Sequence, residues 1–462
     1  MSDVGPPIEL PVLDISNPLD PEAGKALLAA ATKYGFLYVD SRGTDFTTAE
    51  VDRAFELSKK FFASPVEEKA ACRIEPNKST SNPPQNRGWS GMHSETLDPE
   101  HQRVSIHSPS INIVYQSLTT PPQTGDFKEA FNFGEFTNNN KAQQPLPASL
   151  IPHETEIAQF ASLCNKTCTR ILTLLALGLG IPPTFFTTRH DPTTGPTGSI
   201  LRYLFYPSIT SPLTSTYSHK TDVRAGAHSD YGSITLLFQR PGQPGLEILT
   251  PDGAGWAPVP VIPRSSSSSS TSLEGSEYPF PPILVNIGDL LSYWTDGLLK
   301  STVHRVVFPV SEQQRPNAQD RYSIVYFCHP LDRTELVPVP SNVVEEFRRG
   351  KSKEGGDGGV RVGFGGGAGM LEEGKRALTA QEHLMARLDA TLRWLPPSNS
   401  YEAARVCTGS NDDAQPNWLS RTRAHSPCSG PASSSQQQAK EVITMPKEIA
   451  PERLWGRAGS QC

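Results

Sequence analysis

The sequence predicts an α+β fold that is mainly β, with a double-stranded β-helix (jelly-roll) core backed by helices. Short runs rich in β-branched and aromatic residues recur between turn signals from 199 to about 340. A long helical pattern over 153–177 precedes them. The chain of 462 residues contains 43 prolines and 36 glycines, so long loops and disordered insertions are also expected.

The first part of the chain, 8–150, is predicted to be an N-terminal α/β region. Helical apolar spacing covers 25–33 and 49–62, with extended sequence at Tyr38 and Val39 between them. The remainder, 76–150, is rich in turn-forming residues such as Pro83 and Pro84 and is expected to consist mostly of loops.

The predicted core, 151–340, begins with the helix over 153–177. Gly178 and the following Pro182 are expected to terminate this helix. The expected strands are 200–206, 234–238, 246–249, 283–287, 303–310 and 322–328. Two antiparallel sheets of such strands direct side chains into a shared cavity at one end of the jelly roll. The serine-rich stretch 263–282 is predicted to be an exposed loop between two strands.

After the core, 341–397 is predicted to contain a glycine-rich loop and a late amphipathic helix over 379–392. Thr379 is the expected N-cap of that helix, with Glu382 three residues later completing a capping box. The polar, low-complexity sequence of 398–462 is expected to be a disordered tail.

Bulk properties exclude several classes of protein. A net charge of −6 shows no basic excess, which argues against a nucleic-acid binder. The seven cysteines indicate no disulfide framework, and Cys164 and Cys168 have the spacing of core positions on a helix. The N-terminus lacks a signal pattern and the longest apolar run is too short to span a bilayer. We expect a cytoplasmic protein without a membrane partner; the oligomeric state is not predicted.

The strongest functional signal is His228-x-Asp230, followed much later in the chain by His304. Two imidazoles and one carboxylate are the ligands of mononuclear non-haem iron(II) sites, which leave one face of the metal open. Alternate residues of an extended segment share a face, so one ion can take both His228 and Asp230. These three residues are the candidate metal ligands.

A second signal follows in a β-type run. Arg321 and Ser323 are two residues apart, so on a strand they point the same way. A planar guanidinium beside a hydroxyl suits a carboxylate that is held in a pocket.

Together these motifs resemble the isopenicillin N synthase-like family of iron(II)- and 2-oxoglutarate-dependent oxygenases. Further similar segments, including 10–16, 34–39, 126–129 and 286–305, occur in the family's order, so the similarity covers roughly 8–395. The resemblance implies that His228, Asp230 and His304 bind Fe(II). It implies that Arg321 and Ser323 hold the distal carboxylate of 2-oxoglutarate.

The cosubstrate motif departs from the family at one position. Tyr206 matches a tyrosine that approaches 2-oxoglutarate, but Leu204 stands where many plant members have asparagine. The contacts to the iron-proximal end of 2-oxoglutarate are therefore left open. Arg202 is a candidate substitute, and the alternative is a surface or salt-bridged arginine.

The resemblance implies a dioxygenase that oxidises a small organic molecule, by hydroxylation, desaturation or cyclisation, and releases succinate and CO2. O2 would be the second cosubstrate, ascorbate is a candidate reductant, and specialised metabolism is the expected setting. Phe327 is either a substrate-stacking residue or a core residue of an alternating strand. His219 and His329 are not expected to be ligands, and Asp289 is expected to be a turn residue.

Two other functions remain open from the sequence. One is an iron oxidase of the same fold that does not consume 2-oxoglutarate. The other is a non-catalytic binding scaffold, against which the intact set of ligand residues argues.

Overall fold

The computed structural model describes residues 4–74, 86–95, 97, 125–137, 139–219, 222–263, 278–313, 318–353 and 376–392. The tail predicted over 398–462 lies outside these residues. So do most of the serine-rich loop and most of the glycine-rich loop. Among the helices of the described part, none has both the length and the apolar composition needed to cross a bilayer.

The described residues contain twelve strands, which form two sheets. In chain order they are β1 (Val12–Leu13), β2 (Phe36–Val39), β3 (Gly88–Ser90), β4 (Glu129–Phe133), β5 (Ile200–Tyr206), β6 (Ala225–His228), β7 (Ile234–Gln239), β8 (Leu246–Leu249), β9 (Trp256–Pro258), β10 (Ile283–Ile287), β11 (His304–Val306) and β12 (Arg321–Cys328). The major sheet has the order β1-β2-β10-β7-β12-β5-β4-β3 and the minor sheet the order β6-β11-β8-β9. All neighbouring strands are antiparallel except β1 and β2. This double sheet confirms the predicted jelly-roll fold class.

Helices cover the outer face of the major sheet. In chain order the α-helices of the described part are α1 (Pro21–Lys33), α2 (Thr48–Phe62), α3 (Val66–Ala70), α4 (Glu154–Gly178), α5 (Thr184–Thr187), α6 (Asp289–Trp294), α7 (Val310–Gln313), α8 (Asn342–Lys353) and α9 (Ala380–Leu392). The longest, α4, corresponds to the helix predicted over 153–177. The predicted capping box of α9 is also present, since Thr379 and Glu382 exchange side chain-to-backbone hydrogen bonds of 2.9 and 3.2 Å.

Glycines allow α1 and α4 to pack closely against each other. A Cβ on Gly24 would lie 2.8 Å from the Leu174 carbonyl oxygen, and one on Gly178 would lie 2.4 Å from the Gly24 carbonyl oxygen. The two helices therefore approach backbone to backbone. Cys164 and Cys168 are free and buried on α4, as the helical spacing predicts.

Two apolar clusters divide the interior according to strand alternation. On β12, Ile324 and Tyr326 belong to the larger cluster between the major sheet and the helices. Val325 and Phe327, on the opposite face of the same strand, belong to the smaller cluster between the two sheets. The inter-sheet face of β12 also carries Arg321 at its start, so polar groups enter this space at one end.

Strand β4 lies within 76–150, where the sequence pattern predicts mostly loops. All five of its residues are buried, although the strand contains Glu129 and Asn132. Glu129 is neutralised by Lys69, 2.9 Å away, and also accepts a hydrogen bond of 2.9 Å from Trp89. These buried polar residues break the apolar pattern that identifies a strand.

Candidate metal centre and substrate pocket

The two histidines of the motif face each other across neighbouring strands of the minor sheet. His228 on β6 is the register partner of His304 on β11, and their ring centroids are 4.3 Å apart. The Nδ1 of His228 lies 2.7 Å from the Gly226 carbonyl oxygen, and that of His304 lies 3.1 Å from the Thr302 carbonyl oxygen. Because a carbonyl only accepts, each Nδ1 donates, and each Nε2 keeps a lone pair for a metal.

Asp230 lies in the crossover from the minor sheet to the major sheet. Its Oδ2 accepts hydrogen bonds of 2.7 Å each from Thr235 on β7 and Asn286 on β10, which are register partners. Its Oδ1 lies 3.8 Å from Nε2 of His228 and 3.6 Å from Nε2 of His304. The three candidate ligand atoms all lie within 4.8 Å of one another. One sheet therefore supplies the imidazoles and the other fixes the carboxylate.

The charge states suit a divalent metal. Burial lowers the pKa of His228 to about 3, so this imidazole is neutral. Burial by itself would raise the pKa of Asp230, but His304, His228 and the hydrogen bonds from Asn286 and Thr235 lower it below its usual value. Neutral imidazoles and one carboxylate are the donor set that non-haem Fe(II) requires, so the residues present fit this metal.

A cavity of about 70 Å³ between the sheets connects the ligands to the predicted cosubstrate clamp. Its lining includes Arg321, Ser323 and Tyr206 together with the three candidate ligands. Arg321 is only 2% exposed, and its Nη1 lies 3.4 Å from Oγ of Ser323, while its guanidinium lies 4.8 Å from the centre of the Tyr206 ring.

Arg321 has no counter-ion in the described part of the chain. Its Nε has no hydrogen-bond partner there, and Glu312, the nearby acid, pairs with Arg224 at 3.3 Å instead. A buried guanidinium without a carboxylate is costly. The carboxylate of a bound 2-oxoglutarate would remove that cost, so the residues present fit this cosubstrate.

A cluster of four charges lies beside Leu204, where the sequence left the contacts open. Arg202 forms an ion pair with Glu95, so it is the salt-bridged arginine of the second alternative, although it also lines the cavity. Lys128, which the sequence analysis did not single out, lies 2.6 Å from Asp126 and 3.2 Å from Glu95. The only signal for it was the Asp-Phe-Lys-Glu segment at 126–129.

This charge cluster also supports a metal ligand. The Oδ1 of Asp126 accepts a hydrogen bond of 3.1 Å from the Gly226 N–H, and the Gly226 carbonyl oxygen accepts from His228. Burial alone would lower the pKa of Lys128, but Asp126 and Glu95 raise it above its usual value. Lys128 therefore stays charged at the edge of the small cavity.

A larger pocket of about 300 Å³ opens on the other side of the ligands. Its lining comes from the segment before β3, from β4, from β5, from the end of β12 and from α9. The residues of α9 that contribute are Gln381, Leu384, Met385 and Leu388. Phe327, the candidate stacking residue, lines both this pocket and the small cavity. His329 also lines the larger pocket, and it is not part of the group of candidate ligands found among the described residues.

Asp289 connects the ligand segments to α9. Its backbone N–H donates to the Asp230 carbonyl oxygen at 2.7 Å, and its side chain accepts from Ser229 at 3.1 Å and from Ser301 at 2.7 Å. The guanidinium of Arg387, on α9, lies 2.8 Å from the same carboxylate. Asp289 is thus a positioning residue, whereas the sequence predicts only a turn.

A buried His, Asp, His set at the mouth of a jelly roll defines the class of mononuclear non-haem metal enzymes. Two family models match the chain. The model described as non-haem dioxygenase in morphine synthesis N-terminal matches 10–154, and that of the 2OG-Fe(II) oxygenase superfamily matches 198–330. The chain belongs to the 2OG-Fe(II) oxygenase superfamily. It is a 2-oxoglutarate-dependent dioxygenase that uses Fe(II) and O2.

Individual relatives agree with this assignment. The chain is 34% identical over 335 residues to a UPF0676 protein of Schizosaccharomyces pombe, which covers 72% of this chain and 85% of the relative. It is 26% identical to the homoarginine-6-hydroxylase 2-ODD-C23 of Glycine max, over 74% of this chain and 92% of that protein. A crystal structure of a full-length Neurospora crassa protein in complex with alpha-KG and thymine is similar at 25% identity and a TM-score of 0.57, over 82% of this chain and 96% of that one.

Proposed function

We propose that this dioxygenase oxidises a C–H bond of a small polar organic molecule, with His228, Asp230 and His304 as the Fe(II) ligands. Hydroxylation is the simplest outcome, and desaturation and cyclisation use the same oxidant. Arg321, Ser323 and Tyr206 are proposed to hold 2-oxoglutarate. The observation that carries this proposal is the buried guanidinium of Arg321, which has no ion-pair partner within the described residues and faces the cavity that the three candidate ligands also line.

The chain's own residues have separate tasks in this scheme. When bound, Fe(II) and 2-oxoglutarate supply an oxidant from O2, with release of succinate and CO2. Arg321 and Ser323 would neutralise and orient the distal carboxylate of 2-oxoglutarate, and Thr235 and Asn286 donate hydrogen bonds to Oδ2 of Asp230 and so orient this candidate ligand. The apolar inter-sheet cluster around Phe327 excludes water from the reacting centre.

The larger pocket supports a small substrate. Its volume of about 300 Å³ is at the lower end of the range for small-molecule sites. Its lining is mixed, with Phe327 and Leu384 beside Asn132 and Arg87. One relative is named as a hydroxylase of homoarginine, and another was crystallised with thymine. Both of these compounds are small, polar and nitrogen-containing, which is consistent with such a lining. Specialised metabolism remains the proposed setting.

Anaerobic titration with Fe(II), followed by assay of succinate with and without candidate substrates, tests the proposal. We expect one Fe(II) per chain and slow succinate formation that a substrate accelerates. Product formation without 2-oxoglutarate would favour the iron oxidase of the same fold. Failure to bind Fe(II) would favour the binding scaffold and would contradict the proposal.

A further inference from the structure

Two opposite charges in the wall of the larger pocket are not paired with each other. Arg87 lies just before β3 and Asp332 lies after β12, and both line the pocket. Within the described residues, neither takes part in an ion pair of 4.0 Å or less, and neither side chain makes a hydrogen bond. Each is near enough to affect the ionisation of the other, which places them in one electrostatic environment.

Both charges are held in a partly buried environment. Burial lowers the pKa of Arg87, and Glu135 and Asp332 oppose that shift. Burial raises the pKa of Asp332, and Arg87 opposes that shift. Glu135 does not belong to the lining of the pocket, and its Oε1 accepts hydrogen bonds of 2.6 and 3.1 Å from the side chain and the N–H of Thr197. Within the described part of the chain, Arg87 and Asp332 are therefore partly desolvated pocket charges without an ion-pair partner at 4.0 Å or less.

The side chain of Arg87 is held by its surroundings. A Cβ on Gly134 would lie 2.5 Å from Nε and 2.7 Å from Cδ of Arg87, so the arginine lies directly along a bare stretch of backbone. The other arginine of this wall differs, because Arg202 is paired with the carboxylate of Glu95. Arg87 is the cation of this wall that is left for a ligand, among the residues the structure describes.

A buried acceptor in the same wall supports a ligand with an N–H donor. Asn132 is 1% exposed and donates from Nδ2 to the backbone and side-chain oxygens of Asn86, at 3.1 and 3.0 Å. Its Oδ1 has no donor in the described part of the chain. Burying an acceptor without a donor is unfavourable, and a ligand N–H would satisfy this oxygen.

We propose that the larger pocket binds a zwitterion of the amino-acid class, with its carboxylate at Arg87 and its protonated amine at Asp332 and Asn132. A purely anionic ligand would leave Asp332 without a counter-charge, and a purely cationic ligand would leave Arg87 without one. A neutral ligand would leave both residues without a counter-charge. The carbon chain of the ligand lies along Ile200 and Phe327, whose pocket wall continues to Asp230. This inference rests on the proposed function of the same site.

The test compares zwitterions with derivatives that lack one charge. The probes are free L-leucine, L-norleucine, L-phenylalanine and L-arginine, each with its carboxamide and its N-acetyl derivative. Binding to the full-length protein, loaded anaerobically with Fe(II) and 2-oxoglutarate, is measured by calorimetry, and succinate formation is measured separately. We expect at least one free amino acid to bind, with each blocked derivative weaker by on the order of tenfold to a hundredfold.

Two variants assign the charges to residues. Arg87→Gln is expected to weaken binding of the free amino acid by the same factor and to leave binding of its carboxamide unchanged. Asp332→Asn is expected to weaken binding of the free amino acid by the same factor and to leave binding of its N-acetyl derivative unchanged. Arg333→Gln removes an exposed arginine whose guanidinium bonds to the Thr194 carbonyl oxygen, and serves as the matched control.

The outcomes separate this inference from the proposed function. If no free amino acid binds, or if the blocked derivatives bind equally well, the zwitterion proposal is overturned. It is also overturned if both pocket variants weaken all probes alike. In each case substrate-independent succinate formation in the wild type leaves the oxygenase function standing. Absence of that succinate, by contrast, counts against the proposed function itself.

Discussion

The small inter-sheet cavity and the larger pocket share two of the candidate metal ligands, His228 and Asp230, but are built differently. The small cavity is lined mostly by strand residues whose directions are fixed by the register of the two sheets. The larger pocket takes its lining from segments far apart in the chain, including the turn after β12 and the late helix α9. The residues proposed to bind the metal and 2-oxoglutarate therefore lie mostly on rigid strands. The residues proposed to recognise the substrate lie largely on connecting segments and on a helix.

The strongest test of this division removes the anionic ligand. Asp230→Ala is expected to abolish Fe(II) binding and succinate formation, because it removes the only anionic ligand of the set and two imidazoles alone bind a divalent metal weakly. Fe(II) binding is measured by anaerobic calorimetry and folding by circular dichroism. Asp252→Ala, in an exposed turn, is the matched control. Succinate formation at the wild-type rate by Asp230→Ala would disprove the assignment of ligands.

The next test acts on the small cavity alone. Arg321→Ala is expected to raise the 2-oxoglutarate concentration needed for half-maximal rate by the equivalent of about 2–5 kcal/mol, since it removes one member of a buried charge pair. The Fe(II) affinity should hardly change. Arg321→Lys retains the charge but not the planar guanidinium. Its 2-oxoglutarate requirement should lie between those of the wild type and Arg321→Ala. Parallel losses of Fe(II) and 2-oxoglutarate affinity would show that Arg321 has a structural role instead.

A third test asks whether the two cavities are coupled through Asp289. Asp289→Asn weakens the attachment of Ser229 and Ser301 beside the ligands and of Arg387 on α9. We expect a decrease of about 10- to 100-fold in Fe(II) affinity or in turnover, as for other residues that orient ligands.

Arg387→Met is the companion variant in that test, because it leaves the bonds of Asp289 to Ser229 and Ser301 in place and removes the contacts of the guanidinium with Asp289 and with the Tyr231 ring. It should lower the ratio of substrate oxidised to succinate formed and leave the Fe(II) affinity intact. If both variants behave identically in both measurements, the two cavities are not separable through this residue.

The smallest expected effect concerns stability in acid. Burial lowers the pKa of His190 to about 4, while its Nδ1 lies 2.8 Å from the Phe186 carbonyl oxygen and its Nε2 lies 2.9 Å from the Ser233 hydroxyl. The unfolded chain takes up a proton as the pH falls through about 6.5, and the folded protein does so only near 4. The contribution of neutral, buried His190 to the free energy of unfolding is therefore present above pH 6.5 and is lost as the pH falls from 6.5 towards 4.

The measurement is urea unfolding at pH 7 and at pH 5. We expect His190 to account for about 2 kcal/mol of the decrease in the free energy of unfolding between these pH values. His190→Gln does not titrate, so it should lose that much less stability than the wild type over the same interval. An equal loss in both proteins would show that other groups cause the acid sensitivity.

The parts of the molecule that follow a simple period were predictable from the sequence. The strand patterns indicated β5, β8 and β10 at their observed bounds, and the two-residue spacing of Arg321 and Ser323 predicted a shared face. The helix α4 was also predicted, because its apolar spacing continues over many turns. In each case one local rule determines which side is buried.

The remaining features depend on contacts between distant segments. Lys128 and Glu129 are buried on or beside a strand because Asp126 and Lys69 compensate them, and no local pattern records that compensation. The pairing of His228 with His304 requires a register between strands that are far apart in the chain. The approach of Arg87 to Asp332 depends on where several connections lead, which periodicity does not specify.

The position of α9 has a consequence for how such enzymes diversify. A single thirteen-residue helix near the end of the described chain provides much of one wall of the recognition pocket and contributes nothing to the lining of the small cavity. Mutations accumulating there would alter which molecules are accepted while the oxygen-activating apparatus is inherited unchanged. We therefore expect substitutions in this one short segment to change which substrate the enzyme accepts.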